Sequence, residues 1–138
     1  MKQNQNAESD VKEIRLEDIY QPLTEEDIEN MSEQIDKWKE KYKDKILLIE
    51  VPATSVYPAF NGIFRIPTKA EVSELNKKTR ENNTGFESDA DLARLCVLYP
   101  EPITFNMLIG KNWGVASPIA QKLIVECQVN AQAKIKKL

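Results

Sequence analysis

Apolar residues recur every three or four positions between residues 28 and 42, which is the period of one face of an α-helix. This apolar stripe consists of Ile28, Met31, Ile35, Trp38 and Tyr42. Thr24 precedes it as a candidate N-cap, and acidic residues at 25–27 suit the positive end of a helix dipole. The pattern predicts an acidic amphipathic helix over residues 24–44.

Two shorter apolar runs follow, and both are rich in β-branched residues. The run "KILLIEVPA" (45–53) predicts a strand that Pro52 stops, and "IFRI" (63–66) predicts a second strand. Asn61 and Gly62 between them are typical turn residues. An antiparallel pair is the simplest arrangement, and because two strands alone are marginally stable, we expect helices packed on one face.

The second predicted strand passes directly into a helix, and the residues at this strand–helix join form a recognisable pattern. Pro67 ends the strand, and Thr68 can cap the next helix. Glu71 lies three residues later, where its carboxylate can reach back to the cap and complete a capping box. The join, which fixes a strand against a helix, consists of Phe64, Arg65, Pro67, Thr68 and Glu71.

Helical patterns fill the rest of the chain. We predict helices over 69–81, from Ser88 to Tyr99, after Thr104 as far as a glycine, and over 118–134, with a loop at 81–87. In the helix predicted from Ser88 to Tyr99, the residues expected to be buried are Leu92, Leu95, Cys96 and Tyr99. The expected fold is therefore α+β and mostly helical, with a short antiparallel strand pair packed against a bundle of four to five helices.

The length of 138 residues indicates one domain, and charge divides it unevenly. Residues 1–44 hold thirteen Asp or Glu against seven Lys or Arg, for a net charge of −6, whereas the whole chain has −3. We predict a flexible segment over 1–23, the acidic helix over 24–44, a compact α+β domain over 45–134 and a basic tail over 135–138. The acidic helix is either a solvated element or an arm that docks on the mildly basic remainder.

Composition argues against catalysis. The chain has no histidine, so the commonest general base and a common metal ligand are both missing, and no other group is arranged beside a nucleophile. We therefore expect a protein that is not an enzyme and has no cofactor or metal. Cys96 and Cys127 lie among apolar residues, which favours buried free thiols in a reducing compartment over a disulfide between packed helices.

The same composition restricts the partners and the compartment. Basic residues are scattered and the net charge is negative, so we expect no nucleic-acid binding. No apolar run is long enough to span a bilayer, and the N-terminus lacks the apolar core of a signal peptide. These features predict a cytosolic protein without a membrane partner. The stripe from Ile28 to Tyr42 is then either ordinary core packing or a partner-binding face.

Beyond these physical arguments, residues 45–128 resemble a known family. The order of "KILLIEV", "FRIPTKAEV", "ADLARLCVLYPEP", "TFNML" and "GVASPIAQKLIVECQV" is similar to that of the tail assembly chaperones of long-tailed bacteriophages and prophages. The most specific parts are the join residues Phe64, Arg65, Pro67, Thr68 and Glu71, together with Cys96–Pro100. The acidic helix is longer than the family pattern, and the closing helix runs into "AQAKIKKL" rather than stopping at glycine.

The resemblance implies a chaperone of the bacterial host cytoplasm. Its partner would be the tape-measure protein, which it keeps soluble while the tail tube protein assembles, and the chaperone itself could form a homo-oligomer. The departures from the pattern leave two alternatives open. One is a structural tail or baseplate-region protein that stays in the particle, and the other is a non-enzymatic adaptor domain.

Overall fold

The computed structural model describes residues 20–82, 85–129 and 136–138 and confirms the predicted α+β class, with 58% helix. The elements in chain order are α1 (Glu25–Asn30), α2 (Ser32–Lys41), β1 (Ile46–Val51), β2 (Phe60–Arg65), α3 (Lys69–Asn82), α4 (Gly85–Cys96), β3 (Val97–Tyr99), α5 (Pro102–Lys111) and α6 (Ala116–Val129). A short 3₁₀ turn, Trp113–Val115, precedes α6. Residues 1–19 of the predicted flexible segment, 83–84 of the predicted loop, 130–134 of the last predicted helix and residue 135 of the predicted tail lie outside the described residues.

The sheet has three antiparallel strands in the order β1–β2–β3, so the expected strand pair was incomplete. Strands β1 and β2 pair from Ile46↔Arg65 to Val51↔Phe60. The third strand, Val97–Tyr99, was predicted as the end of a helix. Pro100 disfavours further helix because it lacks a backbone N–H, and the apolar "VLY" instead pairs with β2.

The inner face of the sheet packs against α4, α5 and α6 and forms the main core. Phe60 and Phe64 of β2 point into it, and the Phe64 ring meets Phe105 of α5 edge-on with ring centroids 5.7 Å apart. Cys96 and Cys127 are both buried and free, as predicted. Burial raises the pKa of the Cys96 thiol to about 12, so this thiol stays protonated near neutral pH.

The outer face of the sheet is also covered, which corrects the expectation of helices on one face. Side chains alternate along a strand, so Ile63 points away from its neighbours Gly62 and Phe64. Ile63 is only 4% exposed although it lies outside the main core, and it lines a groove shared with Ile28 and Ile35. Helices α1 and α2 therefore form a second layer over the outer face.

Several predicted boundaries were displaced. The predicted acidic helix is two helices, α1 and α2, separated at Met31, whose N–H is shared between the carbonyl oxygens of Asp27 and Ile28, both at 3.1 Å. Strand β2 begins at Phe60, so Asn61 and Gly62 lie inside a strand and not in a turn.

The later helices also begin earlier than predicted. Helix α4 starts at Gly85 rather than Ser88, and α5 starts at Pro102, before Thr104. Pro102 was interpreted as a stop, but its fixed backbone angle and missing N–H suit the first turn of a helix. Leu95, predicted to be buried, is 43% exposed. Among the α4 residues from 89 to 96, whose side chains the structure describes, the buried ones are Ala90, Leu92, Ala93 and Cys96.

Gly62 is required where β2 lies closest to β3, and its substitution gives the first prediction. A Cβ at Gly62 would lie 2.7 Å from the Tyr99 carbonyl oxygen and 2.9 Å from the Phe60 ring. Because a backbone carbonyl cannot rotate aside, we expect Gly62→Ala to lower the free energy of unfolding by about 1–3 kcal/mol. Urea denaturation followed by circular dichroism measures this change.

Gly110 provides the matched control. It lies in α5, and a Cβ there would meet nothing within 4 Å. Gly110→Ala should therefore raise the free energy of unfolding by about 0.5–1 kcal/mol, the usual helix preference for alanine. Equal effects of the two substitutions would contradict the close approach at Gly62.

Candidate functional site

The strand–helix join is held by a network centred on Glu71. Its carboxylate accepts two hydrogen bonds from the Arg65 guanidinium, at 2.9 and 2.8 Å. One carboxylate oxygen also accepts from the Thr68 N–H at 2.9 Å, and the Thr68 hydroxyl accepts from the Glu71 N–H at 3.2 Å. Both hydrogen bonds of a capping box are therefore present. The bidentate Arg65 pair was not part of the sequence prediction.

Electrostatics keeps this network ionised near neutral pH. Hydrogen bonding from Arg65 holds the pKa of Glu71 at about 2, and the same bond raises the pKa of Arg65. The Arg65 guanidinium also lies 5.9 Å from the centroid of the Tyr42 ring, within the range of a cation–π contact. Arg65 therefore connects the end of α2, strand β2 and the start of α3.

The join also contains two buried apolar residues. Phe64 is fully buried in the main core, and Pro67 is buried where the chain leaves the sheet. The Ile66 N–H donates to the Lys45 carbonyl oxygen at 3.0 Å, which extends the pairing of β1 and β2 by one residue. The five predicted join residues thus lie together, with their backbone bound on one side to β1 and on the other to α3.

The predicted partner-binding stripe lies against the outer face of the sheet, but its members have different surroundings. All five stripe residues are half-buried, and no residue of α1 or α2 is fully buried. Ile28 and Ile35 face the sheet, Met31 lines a separate cleft beside Tyr99, and Tyr42 contacts Arg65. The structure therefore brings Ile28 and Ile35 together in one surface, whereas Met31, Trp38 and Tyr42 are not part of the lining of that surface.

A groove separates these helices from the sheet, and we call it the outer groove. It has a volume of about 200 Å³, and its lining is Ile28, Ile35, Lys39, Ile46, Leu47, Leu48 and Ile63. Apart from Lys39, every lining side chain is apolar. Leu48 is 43% exposed at this groove, so part of its apolar surface is open to solvent.

The chain before α1 is attached to the sheet by Asn61, a buried residue of β2. The Asn61 side chain accepts a hydrogen bond from the Leu23 N–H at 2.7 Å and donates to the Leu23 carbonyl oxygen at 2.9 Å. Tyr20 hydrogen-bonds through its hydroxyl to the Asn61 carbonyl oxygen. Burial raises the pKa of the Tyr20 hydroxyl, which therefore remains protonated and able to donate.

The other end of this layer is attached by a tight turn. Lys43 and Asp44 have positive φ angles of 54° and 63°, which lets the chain reverse directly from α2 into β1. The Asp44 N–H donates to the Lys39 carbonyl oxygen at 2.8 Å and caps the end of α2. Helices α1 and α2 are thus fixed at both ends, while their middle covers the outer groove without full burial.

Sequence reasoning missed the sheet side of this site. Ile46 and Leu48 alternate with the buried Ile49, so the period-two pattern already placed them on the face opposite the main core. Asn61 was missed because Asn-Gly is a strong turn signal. Nothing local in the sequence shows that its side chain would bind the backbone at Leu23.

Comparison with known proteins gives no match to a family model, a curated protein or a solved structure. No helix among the described residues is long and apolar enough to cross a membrane. Within the same residues, no group of three or more Cys, Asp or Glu is placed to hold a metal ion. What the described chain offers is a three-layer α+β domain with an apolar groove under its outer helices.

The capping box gives a stability prediction. Thr68→Ala removes the hydroxyl that accepts from the Glu71 N–H, so we expect the free energy of unfolding to fall by about 0.5–2 kcal/mol. Thr68→Ser keeps the hydroxyl and should change it by only a few tenths. Chemical denaturation of both variants measures the effect, and an unchanged midpoint for Thr68→Ala would show that the cap does not stabilise α3.

The Arg65–Glu71 pair gives a pH prediction. The pKa of Glu71 in the folded chain is about 2, below its usual 4.5. The contribution of Glu71 ionisation to the free energy of unfolding is therefore complete above pH 4.5 and is lost as the pH falls towards 2. Glu71→Gln keeps a capping acceptor but removes this titration. Because the pair is partly exposed, solvent screening limits the effect to about 1 kcal/mol.

The measurement is the free energy of unfolding of both proteins from pH 5 to pH 2. Wild type should lose about 1 kcal/mol more than Glu71→Gln over this range. The pKa of Asp27 is also lowered, by its hydrogen bonds to Thr24, but Asp27 is present in both proteins and cancels in the comparison. Parallel pH curves would show that the ion pair adds nothing to stability.

Proposed function

We propose that this chain is a phage tail assembly chaperone that acts in the bacterial host cytoplasm. It binds the tape-measure protein, keeps it soluble and assists assembly of the tail tube protein around it. The observation that carries the proposal is the outer groove, an apolar surface that helices α1 and α2 cover without burying. The family resemblance at the join residues Phe64, Arg65, Pro67, Thr68 and Glu71 supports the same function.

The groove has the character that an apolar client requires. Ordinary helix packing against a sheet places several residues of the helix fully inside, whereas every stripe residue here keeps part of its surface accessible. Accessible apolar surface of this kind is typical of protein-binding sites. An apolar side chain of the client that enters beside Ile35 and Leu48 would be removed from water, and that burial supplies the binding energy.

The join gives this surface a stable support. The network of Arg65, Thr68 and Glu71 holds the end of β2 against α3, and Ile63 of the same strand forms part of the groove floor. A floor that is already ordered loses little conformational entropy when a client binds. The two ends of α1–α2 are fixed by Asn61 and by the turn at residues 43–44, so movement of these helices would be confined to their middle.

The test is co-expression of this chain with the tape-measure protein encoded beside it in the genome. A chaperone should increase the soluble fraction of the tape-measure protein and co-purify with it. Purified phage particles should then contain little or none of this chain. An insoluble tape-measure protein with this chain abundant in particles would instead indicate a structural tail or baseplate-region protein.

Substitutions in the stripe test the binding surface. Ile35→Glu places a carboxylate in the apolar groove, so we expect about tenfold weaker client binding, equivalent to about 1.4 kcal/mol. Met31 and Trp38 lie on the same half-buried stripe but outside the groove lining, so Met31→Glu and Trp38→Glu should weaken binding less than Ile35→Glu does. Pull-down against a concentration series of the co-expressed client measures the loss.

Val56→Glu is the matched control. Val56 is 74% exposed in the connection between β1 and β2, away from the groove lining, so the same charge should leave binding unchanged. Circular dichroism of each variant separates binding from folding. A loss of helical signal in Ile35→Glu, together with unchanged binding in the variants that stay folded, would show that the stripe serves the core and not a client.

A further inference from the structure

Strand β1 is an edge of the sheet. The alternation of hydrogen-bonded residues along it shows which of its backbone N–H and C=O groups are free. In an antiparallel ladder, every second residue forms backbone hydrogen bonds to the neighbouring strand. The residues between them direct their backbone N–H and C=O groups away from that strand. The bond from Ile66 N–H to the Lys45 carbonyl, together with the register, makes Leu47, Ile49 and Val51 the residues that bond to β2. The N–H and C=O groups of Ile46, Leu48 and Glu50 therefore point outwards.

These outward groups have no hydrogen-bond partner within the described part of the chain. On the opposite side of β2, towards β3, the backbone groups have hydrogen-bond partners. Where β3 ends, the Asn61 carbonyl accepts from Tyr20, so that stretch of backbone is satisfied by a side chain. The unsatisfied row on β1 belongs to a strand whose sequence "ILLIEV" is apolar at five of six positions.

A groove lies on each side of this edge, the outer one lined almost entirely by apolar residues and the inner one by apolar residues together with Glu50, Gln121 and Lys122. The outer groove borders Ile46, Leu47 and Leu48. On the inner face, a second groove of about 310 Å³ lies between β1 and α6 and is lined by Ile49, Glu50, Val51, Pro52, Pro118, Gln121, Lys122 and Val125. Val125 is 53% exposed there. A strand added beside β1 would direct alternate side chains towards these two grooves.

We propose that β1 is a strand-addition site for an extended segment of another protein. The segment pairs with the N–H and C=O groups of Ile46, Leu48 and Glu50 and places apolar side chains alternately in the outer and inner grooves. A lysine or arginine of the segment faces the exposed Glu50. This binding mode does not depend on the partner being a tape-measure protein.

The free backbone groups select an extended occupant. A helical segment has its own N–H and C=O groups bonded internally, so it would leave the β1 groups unsatisfied. A strand satisfies them directly, in the manner of an added sheet strand.

A second copy of this chain fits the edge poorly. Antiparallel self-pairing centred on Leu48 sets Glu50 against the apolar Ile46 of the second copy. A shift in one direction sets Glu50 against Asp44, a like charge, and a shift in the other sets Ile46 against Pro52, which has no N–H to donate. The charge pattern therefore favours a different protein with a cation opposite Glu50.

The test selects ligands without assuming a client. The whole chain is panned against a display library of random twelve-residue peptides, and the enriched peptides are synthesised. Amide hydrogen exchange of each residue is then followed by NMR in the free and bound chain. The amides of Leu47, Ile49 and Val51 should exchange slowly in both states. The amides of Ile46, Leu48 and Glu50 should exchange quickly in the free chain and at least tenfold more slowly in the complex.

A pair of variants isolates the backbone group. Leu48→Pro removes the outward N–H without removing a bond to β2, a position at which an edge strand tolerates proline. Leu48→Ala removes most of the same side chain but keeps that N–H. We expect Leu48→Pro to bind the selected peptides at least tenfold more weakly than Leu48→Ala. If Leu48→Pro does not fold, the exchange measurement on the wild-type chain still decides the question.

Three outcomes would overturn the inference. They are the absence of any enriched peptide, enriched peptides that leave the exchange at Ile46, Leu48 and Glu50 unchanged, and protection of these amides that rises with the concentration of the chain alone. The last would show a second copy at the edge. Failure of the tape-measure protein to co-purify, with the peptide result intact, would remove the proposed client and leave the strand-addition site standing.

Discussion

Burial of strand β2 on both faces is the constraint on which the rest of the structure depends. Phe60 and Phe64 occupy the main core, while Ile63 of the same strand is buried beneath the outer helices. A central strand of this kind needs apolar residues at consecutive positions and a layer on each side. Gly62 allows β3 to come close enough to complete the sheet. The three-layer arrangement follows from these adjacent residues.

The two outer layers are packed to different extents. The inner layer of α4, α5 and α6 contains fully buried residues such as Phe105, Ile119 and Leu123. The outer layer of α1 and α2 contains none, and it is held mainly at its ends by Asn61 and by the contact of Tyr42 with Arg65. Elements with few buried contacts open at lower free energy than the core. We therefore expect the outer layer to open at a lower free energy than the core, which would expose the outer groove without unfolding the domain.

The proposed client site and the proposed strand-addition site meet at β1. Leu48 contributes its side chain to the outer groove, and its N–H and C=O belong to the free edge. A client segment paired with this edge would also extend the apolar surface of the outer groove. The Arg65–Glu71 network lies at the end of the β1–β2 ladder where Arg65 pairs with Ile46, a residue of both sites.

The sequence by itself determined the features that arise from neighbours along the chain. Helix periodicity identified the stripe from Ile28 to Tyr42, and the order of Pro67, Thr68 and Glu71 predicted a capping box, because these signals act within one or two turns. Predictions from local sequence were wrong where backbone groups form hydrogen bonds with residues that are distant in the sequence. Val97–Tyr99 became a strand because β2 offers hydrogen bonds, and Asn61 lies in a strand and not in a turn because β2 pairs with β1 from Phe60 onwards. Only the tertiary structure decided that Ile28 and Ile35 meet Leu48 and Ile63, and that β1 has an open edge. Which surfaces meet depends on the packing of whole layers, and local sequence patterns do not record it.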